Sequence, residues 1–280
     1  MFAAMGLAAA LVVTPAGASS TQEAAQAVKQ QDGAVSDFEA GEIAFDRGDF
    51  LEAIRLFRLA ADRGDAVAQL RLGMMYAEGQ GVPPDDAEAL RWVRLATDQG
   101  NAWAQVMLGN KYLAGAGVAR DDVEAVRWYR LAADQGNAVA QHLVGVAFHL
   151  GLGVPENDSE AVRYFRLAAD QGDPVSQFML GDSYAIGKGV PLDDVESARW
   201  YRLSADQGFP NSQFRLGAMY EAGIGVPQDY VEAYKWFSLA AAGGFAAAVG
   251  DRDTIMVRMT PAQIAEGQRL AAEWQPRSPQ

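Results

Sequence analysis

Ala68, Leu72, Gly73 and Tyr76 fall on one face of a helix, and Ala104, Leu108, Gly109 and Tyr112 repeat that face further along the chain. A second apolar set, Ala89, Trp92, Val93 and Ala96, predicts another helix in the same unit, and Ala125, Trp128, Tyr129 and Ala132 repeat it in the next. A Gly-x-Gly-Val segment separates the two sets, so each unit reads helix, loop, helix. Gly100, Gly136, Gly172 and Gly208 stand where a left-handed residue closes the last turn of a second helix. Asn101, Asn137 and Asp173 then cap the next first helix, the last followed by Pro174 in the favoured first position.

The units are in phase. A shift of 36 residues aligns Gly73, Gly109, Gly145, Gly181 and Gly217, and the same shift aligns Gly81, Gly117, Gly153, Gly189 and Gly225. Five periods occupy residues 66–245 without an insertion. A fixed period of this length predicts an all-α solenoid in which each unit buries its apolar face against its neighbours. Residues 36–65 form a shorter first unit: Gly41 precedes Gly73 by 32 residues, whereas Glu52 precedes Glu88 by the full 36, so the inter-helix loop is four residues short. Residues 246–280 supply capping helices and a tail. Ala246 to Arg258 makes a further first helix, and Thr260, Pro261 and Gln263 start a last one ending near Trp274.

Leu-Gly-x-x-Tyr, Gly-x-Gly-Val-Pro, Asp-x-x-Glu-Ala-x-x-Trp-Tyr and Ala-Ala-Asp-Gln-Gly together closely resemble the Sel-one-like repeat, a relative of the tetratricopeptide repeat, across 180 of the 280 residues. The resemblance implies a right-handed superhelical solenoid of antiparallel helix pairs, with residues 36–65 as a tetratricopeptide-like first hairpin. It also implies that first helices line a concave groove, at the positions of Val67, Leu70, Met74 and Ala77 and their equivalents. Positions that stay constant between repeats report packing, and variable ones are free for recognition. Trp103, Asn110, His142, His149, Phe178 and Asp182 vary and are the candidate partner-binding residues, in an apolar groove with scattered polar groups that suits a peptide or protein. The other reading is that the Val67 and Leu70 rows pack against the neighbouring repeat.

Half of the residues are hydrophobic, 10% aromatic and 21% charged, the composition of a soluble folded chain. A formal charge of −13 repels phosphate backbones, which sets nucleic acid aside. The chain has no Cys and two His, so thiolate sites, disulfides and His-rich metal clusters are excluded. Asp85-Asp86, Asp121-Asp122 and Asp193-Asp194 could pass for paired catalytic acids, but each stands before Glu88, Glu124 or Glu196, and Asp229 before Glu232, in the spacing of a capping box. The Gly-x-Gly segments follow helices, not strands, which removes the phosphate-binding reading. Gly181-Asp182-Ser183 has the look of a lipase nucleophile block, yet both histidines lie upstream of Ser183. His142 and His149 are about 10.5 Å apart along one helix, a strained separation for joint metal ligation, and suit a wetted binding surface better. Trp92, Trp128, Trp200 and Trp236, with Tyr164 in the fifth place, read as core. Arg91, Arg127, Arg163 and Arg199 follow the Glu row by three residues as a solvated charge face.

Met1 to Ala18 is uncharged, apolar from Leu7 to Val13, and closes on Ala16-Gly17-Ala18, the pattern of a cleaved export signal. Residues 19–35 are a polar, Gln-rich tether. No other stretch has the apolar length of a membrane span. Arg outnumbers Lys 19 to 4, which suggests a bacterial source and a periplasmic or secreted protein. The resemblance then implies a non-enzymatic scaffold or adaptor for envelope signalling, secretion or surface assembly, with no cofactor. Two other readings are a secreted hydrolase of β-lactam or cell-wall type and a self-associating structural protein. The hydrolases of this kind carry a disulfide in each repeat, and this chain lacks the cysteines.

Overall fold

The computed structural model describes residues 35–277. The export signal at 1–18 and the tether up to residue 34 lie outside the described residues. The described chain contains fourteen α-helices and no strand, and divides into two compact units between Asp85 and Asp86. The first unit holds α1 (Asp37–Asp46), α2 (Phe50–Asp62) and α3 (Ala66–Glu78). The second holds α4 (Asp86–Asp98), α5 (Ala102–Ala114), α6 (Asp122–Asp134), α7 (Ala138–Leu150), α8 (Asp158–Ala169), α9 (Pro174–Ile186), α10 (Asp194–Asp206), α11 (Pro210–Ala222), α12 (Tyr230–Ala242), α13 (Ala247–Met256) and α14 (Pro261–Glu273).

In the first unit, α1 and α2 are joined by Arg47, Gly48 and Asp49 alone, where the corresponding loop between α5 and α6 runs through seven residues, 115–121. The Phe57 ring lies under Gly41, and Arg71 of α3 pairs with Glu42 of α1 at 2.7 Å.

The second unit is a solenoid of helix hairpins in which α4 packs on α5 and each helix from α5 to α12 packs on those before and after it in the chain. At the end both α13 and α14 lie on α12, with Gly267 of α14 over the Tyr234 ring. Glycine spacing sets how closely the hairpins close. At Gly145 a Cβ would stand 2.6 Å from the Phe165 ring, and Gly217 meets Phe237 in the same way at 2.8 Å, so only hydrogen fits there. The loop glycines do a second job. Gly117 sits at φ 75°, and a Cβ on it would lie 2.8 Å from the Asp86 carbonyl oxygen, so the loop of one repeat rests on the helix start of the one before.

Caps fix the helix ends. Asn101 and Asn137 accept from Ala104 and Ala140 N–H, Asp173 accepts from Ser176 N–H, and each first helix from α5 to α11 stops at a left-handed glycine. Asp121, Asp193 and Asp229 likewise cap second helices. The capping-box expectation is corrected in one respect: Glu124 and Glu196 turn away to Arg127 and Arg199, each at 3.1 Å, instead of back to the cap. Closed boxes stand at Ser36 with Glu39 and at Thr260 with Gln263.

Trp92, Trp200 and Trp236 are buried, Trp128 is half-buried, and the cation one residue earlier lies over each ring, from 4.0 Å for Arg91 on Trp92 to 5.2 Å for Arg199 on Trp200. The arginine row therefore shields the aromatic row, at about 0.5–1 kcal/mol per exposed pair. A buried glutamine ladder links the hairpins: Gln141 Nε2 donates to the Ala133 carbonyl of the preceding hairpin, and Gln141 Oε1 accepts from Gln171 Nε2 at 2.7 Å at the end of its own hairpin. Gln177 repeats both bonds with Ala169 and Gln207.

Candidate partner-binding surface

The six variable residues stand on three first helices of the second unit: Trp103 and Asn110 on α5, His142 and His149 on α7, Phe178 and Asp182 on α9. Their surroundings differ. Trp103, the second residue of α5, is 44% exposed. Asn110 Oδ1 accepts from the Tyr129 hydroxyl at 2.6 Å, and Asp182 Oδ1 accepts from the Tyr201 hydroxyl with Arg215 Nε 3.5 Å away. Where the second helix carries Phe165 or Phe237, which have no hydroxyl, the matching first-helix residue is Val146 or Ala218. The polar choice at this position thus follows the ring opposite. Burial raises the pKa of both tyrosines above the ordinary phenol value, and for Tyr201 the Asp182 carboxylate adds to the rise.

Phe178 is half-buried between Tyr201 and Phe209, with ring centroids at 5.9 and 5.5 Å, and belongs to the packing around Leu216 and Trp236. The two histidines both lie against Phe165, at 5.7 and 6.5 Å. His142 Nδ1 shares a hydrogen bond with Ser176 Oγ at 2.9 Å and stands 3.7 Å from Asp173 Oδ2. His149 Nδ1 is 3.2 Å from Asp158 Oδ1, which also receives Lys188 Nζ at 3.1 Å. Each histidine therefore bridges α7 to the start of a following helix.

Ser176, His142 and Asp173 form a sequence that resembles a hydrolytic triad. Its chemistry fails on access: Ser176 is fully buried, and Asp173 Oδ2 is taken by the Ser176 N–H at 2.6 Å. Among the described residues, no group of three or more His, Asp or Glu is placed to hold a metal ion, and no helix is long and apolar enough to cross a membrane.

Burial pulls the His142 pKa below its ordinary 6.5, against a smaller opposing pull from Asp173. The folded state then binds a proton less readily than the unfolded chain, so stability is full above pH 6.5 and declines as pH falls below it. Melting temperature should drop between pH 7 and pH 5 in the wild type, and His142→Gln should flatten that drop. An equal drop in both proteins would assign it to other groups.

Comparison with known proteins places this geometry. The Sel1 repeat family profile matches residues 41–65, 66–101, 104–137, 138–173, 174–209 and 210–245, which counts the shortened first unit with the rest. A protective antigen of uropathogenic Escherichia coli strains, displaying an SLR fold, is similar at 36% identity and a TM-score of 0.77, over 90% of this chain and 56% of that one. A Sel1 repeat protein of Oxalobacter formigenes is similar at 33% identity and a TM-score of 0.72, over 78% of this chain and 64% of that one. The chain thus spans 56% and 64% of the lengths of these two relatives. No curated protein matches it.

Proposed function

Because the chain belongs to the Sel1 repeat family, whose members generally mediate protein–protein interaction, we propose that it is an exported, non-enzymatic scaffold that holds a protein or peptide partner on its first-helix surface around Trp103. The observation that carries this reading is the exposed indole. An aromatic side chain of that size left 44% exposed on a rigid helix offers a large contact area at little entropic cost on binding. Asn110, His142, His149, Phe178 and Asp182 contribute shape and polarity at the rim of the partner site while also packing the hairpins. The burial of Ser176 supports the non-enzymatic part, since a serine without solvent access cannot meet a substrate.

A photo-crosslinking residue at position 103, introduced in envelope extract, identifies the partner. With that partner in hand, Trp103→Ala should weaken binding about 30-fold or more and leave the melting temperature unchanged. Wild-type affinity in the variant would remove Trp103 from the interface. Concentration-dependent assembly of the purified chain on a sizing column would instead identify a second copy as the occupant.

Export rests on the uncharged apolar run and Ala16-Gly17-Ala18, and fits a family relative that is a protective antigen. N-terminal sequencing of native protein should begin at or near Ser19, and an intact Met1 would refute the signal.

A further inference from the structure

One arginine recurs on the second helices at repeat spacing: Arg58, Arg94, Arg130, Arg166 and Arg202. Three of the five end on a tyrosine hydroxyl 18 residues further on, Arg58 on Tyr76, Arg166 on Tyr184 and Arg202 on Tyr220. Arg94 is exposed to water. Arg130 differs from all of these. Phe148 occupies the place of the tyrosine, the guanidinium lies over its ring at 5.1 Å, and the Arg130 Nε–H is buried without an acceptor. A ring face attracts the charge but cannot take a directed hydrogen bond from the fork of donors. Among the described residues Arg130 has no carboxylate partner, although the chain as a whole carries a charge of −13.

Arg130 also lines a shallow depression of about 350 Å³ between α6 and the loop at 153–154. Its other walls are Arg127, already paired with Glu124 at 3.1 Å, and the apolar side chains of Val123, Val126, Leu131 and Val154. Val123 is 63% exposed, so the apolar side is open to solvent. The depression therefore combines an arginine that has no carboxylate partner with an apolar wall.

We propose that this depression binds the C-terminal residue of a partner polypeptide that ends in an aliphatic amino acid, with its carboxylate on Arg130 and its side chain on Val123, Val126, Leu131 and Val154. A terminal residue carries both groups on one Cα and so presents them side by side. An internal Asp or Glu brings the charge but needs a second residue to cover the apolar wall, and an inorganic anion leaves that wall wet. The carboxylate supplies the acceptor that a tyrosine hydroxyl supplies to Arg58, Arg166 and Arg202. The site is on a second helix, α6, and its occupancy does not depend on the Trp103 surface of α5.

The probe is an N-terminally fluorescein-labelled hexapeptide, Gly-Ser-Gly-Ser-Gly-Leu, with a free C-terminal carboxylate, titrated against the full chain by fluorescence anisotropy. Controls are the same peptide as its C-terminal amide and an amidated peptide with an internal Asp-Leu pair. The free acid should saturate at or below about 1 mM, and both controls should bind about tenfold more weakly or worse. Arg130→Gln should lose the same factor. Phe148→Tyr, which gives Arg130 the partner its counterparts have, should also lose about tenfold while folding at least as stably as wild type, because tyrosine already occupies the matching place in other repeats. Equal binding of acid and amide, equal binding of the internal-acid peptide, absence of saturation, or unchanged binding by Phe148→Tyr would each overturn the proposal.

Discussion

Replacing Phe165 with alanine is expected to lower the unfolding free energy by about 3–5 kcal/mol. The ring is 1% exposed at the middle of the second unit, and it fills the gap that Gly145 leaves by lacking a Cβ. Both histidine rings of α7 rest on it as well, at 5.7 and 6.5 Å. The void left by truncation cannot close cheaply, because the α7 helix is held by the cap at Asn137 and by the Gln141 bonds to the preceding hairpin and to the end of its own. In a solenoid the loss stays near its origin, so amide exchange should speed up first in α7, α8 and α9 and later toward the ends. A uniform rise in exchange along the second unit, or a change in stability under about 1 kcal/mol, would contradict this account.

The choice of Phe165 over Trp128 shows where the sequence is a good guide and where it is not. Repeat-constant aromatics were legible as packing, and the Trp row does pack. Yet Trp128 is only half-buried and its indole N–H finds no acceptor, whereas the residues one place later, Tyr129, Phe165, Tyr201 and Phe237, are 3% exposed or less. A helical period assigns both places to the apolar face and cannot rank them, because the ranking depends on the glycine of the facing helix. The helix glycines were legible as small residues on the first-helix face and the loop glycines as hinges, but the causes, contact with the Phe165-type ring for the first row and with the preceding helix start for the second, need the third dimension. The glutamine ladder has a sequence trace, a constant Gln four residues after each Asn or Asp cap from Asn101 to Asp173, but the pairing of Gln141 with Gln171 joins residues 30 apart.

Variation between repeats was the signal used for recognition, and it proves to have two sources. At Asn110 and Asp182 it tracks a tyrosine hydroxyl 19 residues later, a correlation already present in the sequence. At His142 and His149 it tracks carboxylates brought in by the following helices, which no spacing reveals. Among the described residues Trp103 shows no such hydrogen-bonded or charged partner, and at 44% exposed it keeps the stronger claim to a ligand.

Asp182→Val is expected to cost about 1.5–3 kcal/mol of stability, the range for a hydrogen bond to a charged group whose partner is left buried. Tyr201 is 2% exposed, so its hydroxyl has no route to water once the carboxylate is gone. Tyr201→Phe should cost less, about 1 kcal/mol, because the Asp182 side chain is 29% exposed and can be hydrated in place of the lost donor. The double variant copies the neighbouring hairpin, where Val146 goes with Phe165, and should be more stable than the sum of the single losses predicts by about 1 kcal/mol or more. Denaturant unfolding of the four proteins at one pH measures this coupling. If Asp182 served recognition alone, Asp182→Val would leave stability unchanged and the cycle would be additive. A coupled cycle places Asp182 in the packing of the hairpin first, with any partner contact made by its remaining exposed edge.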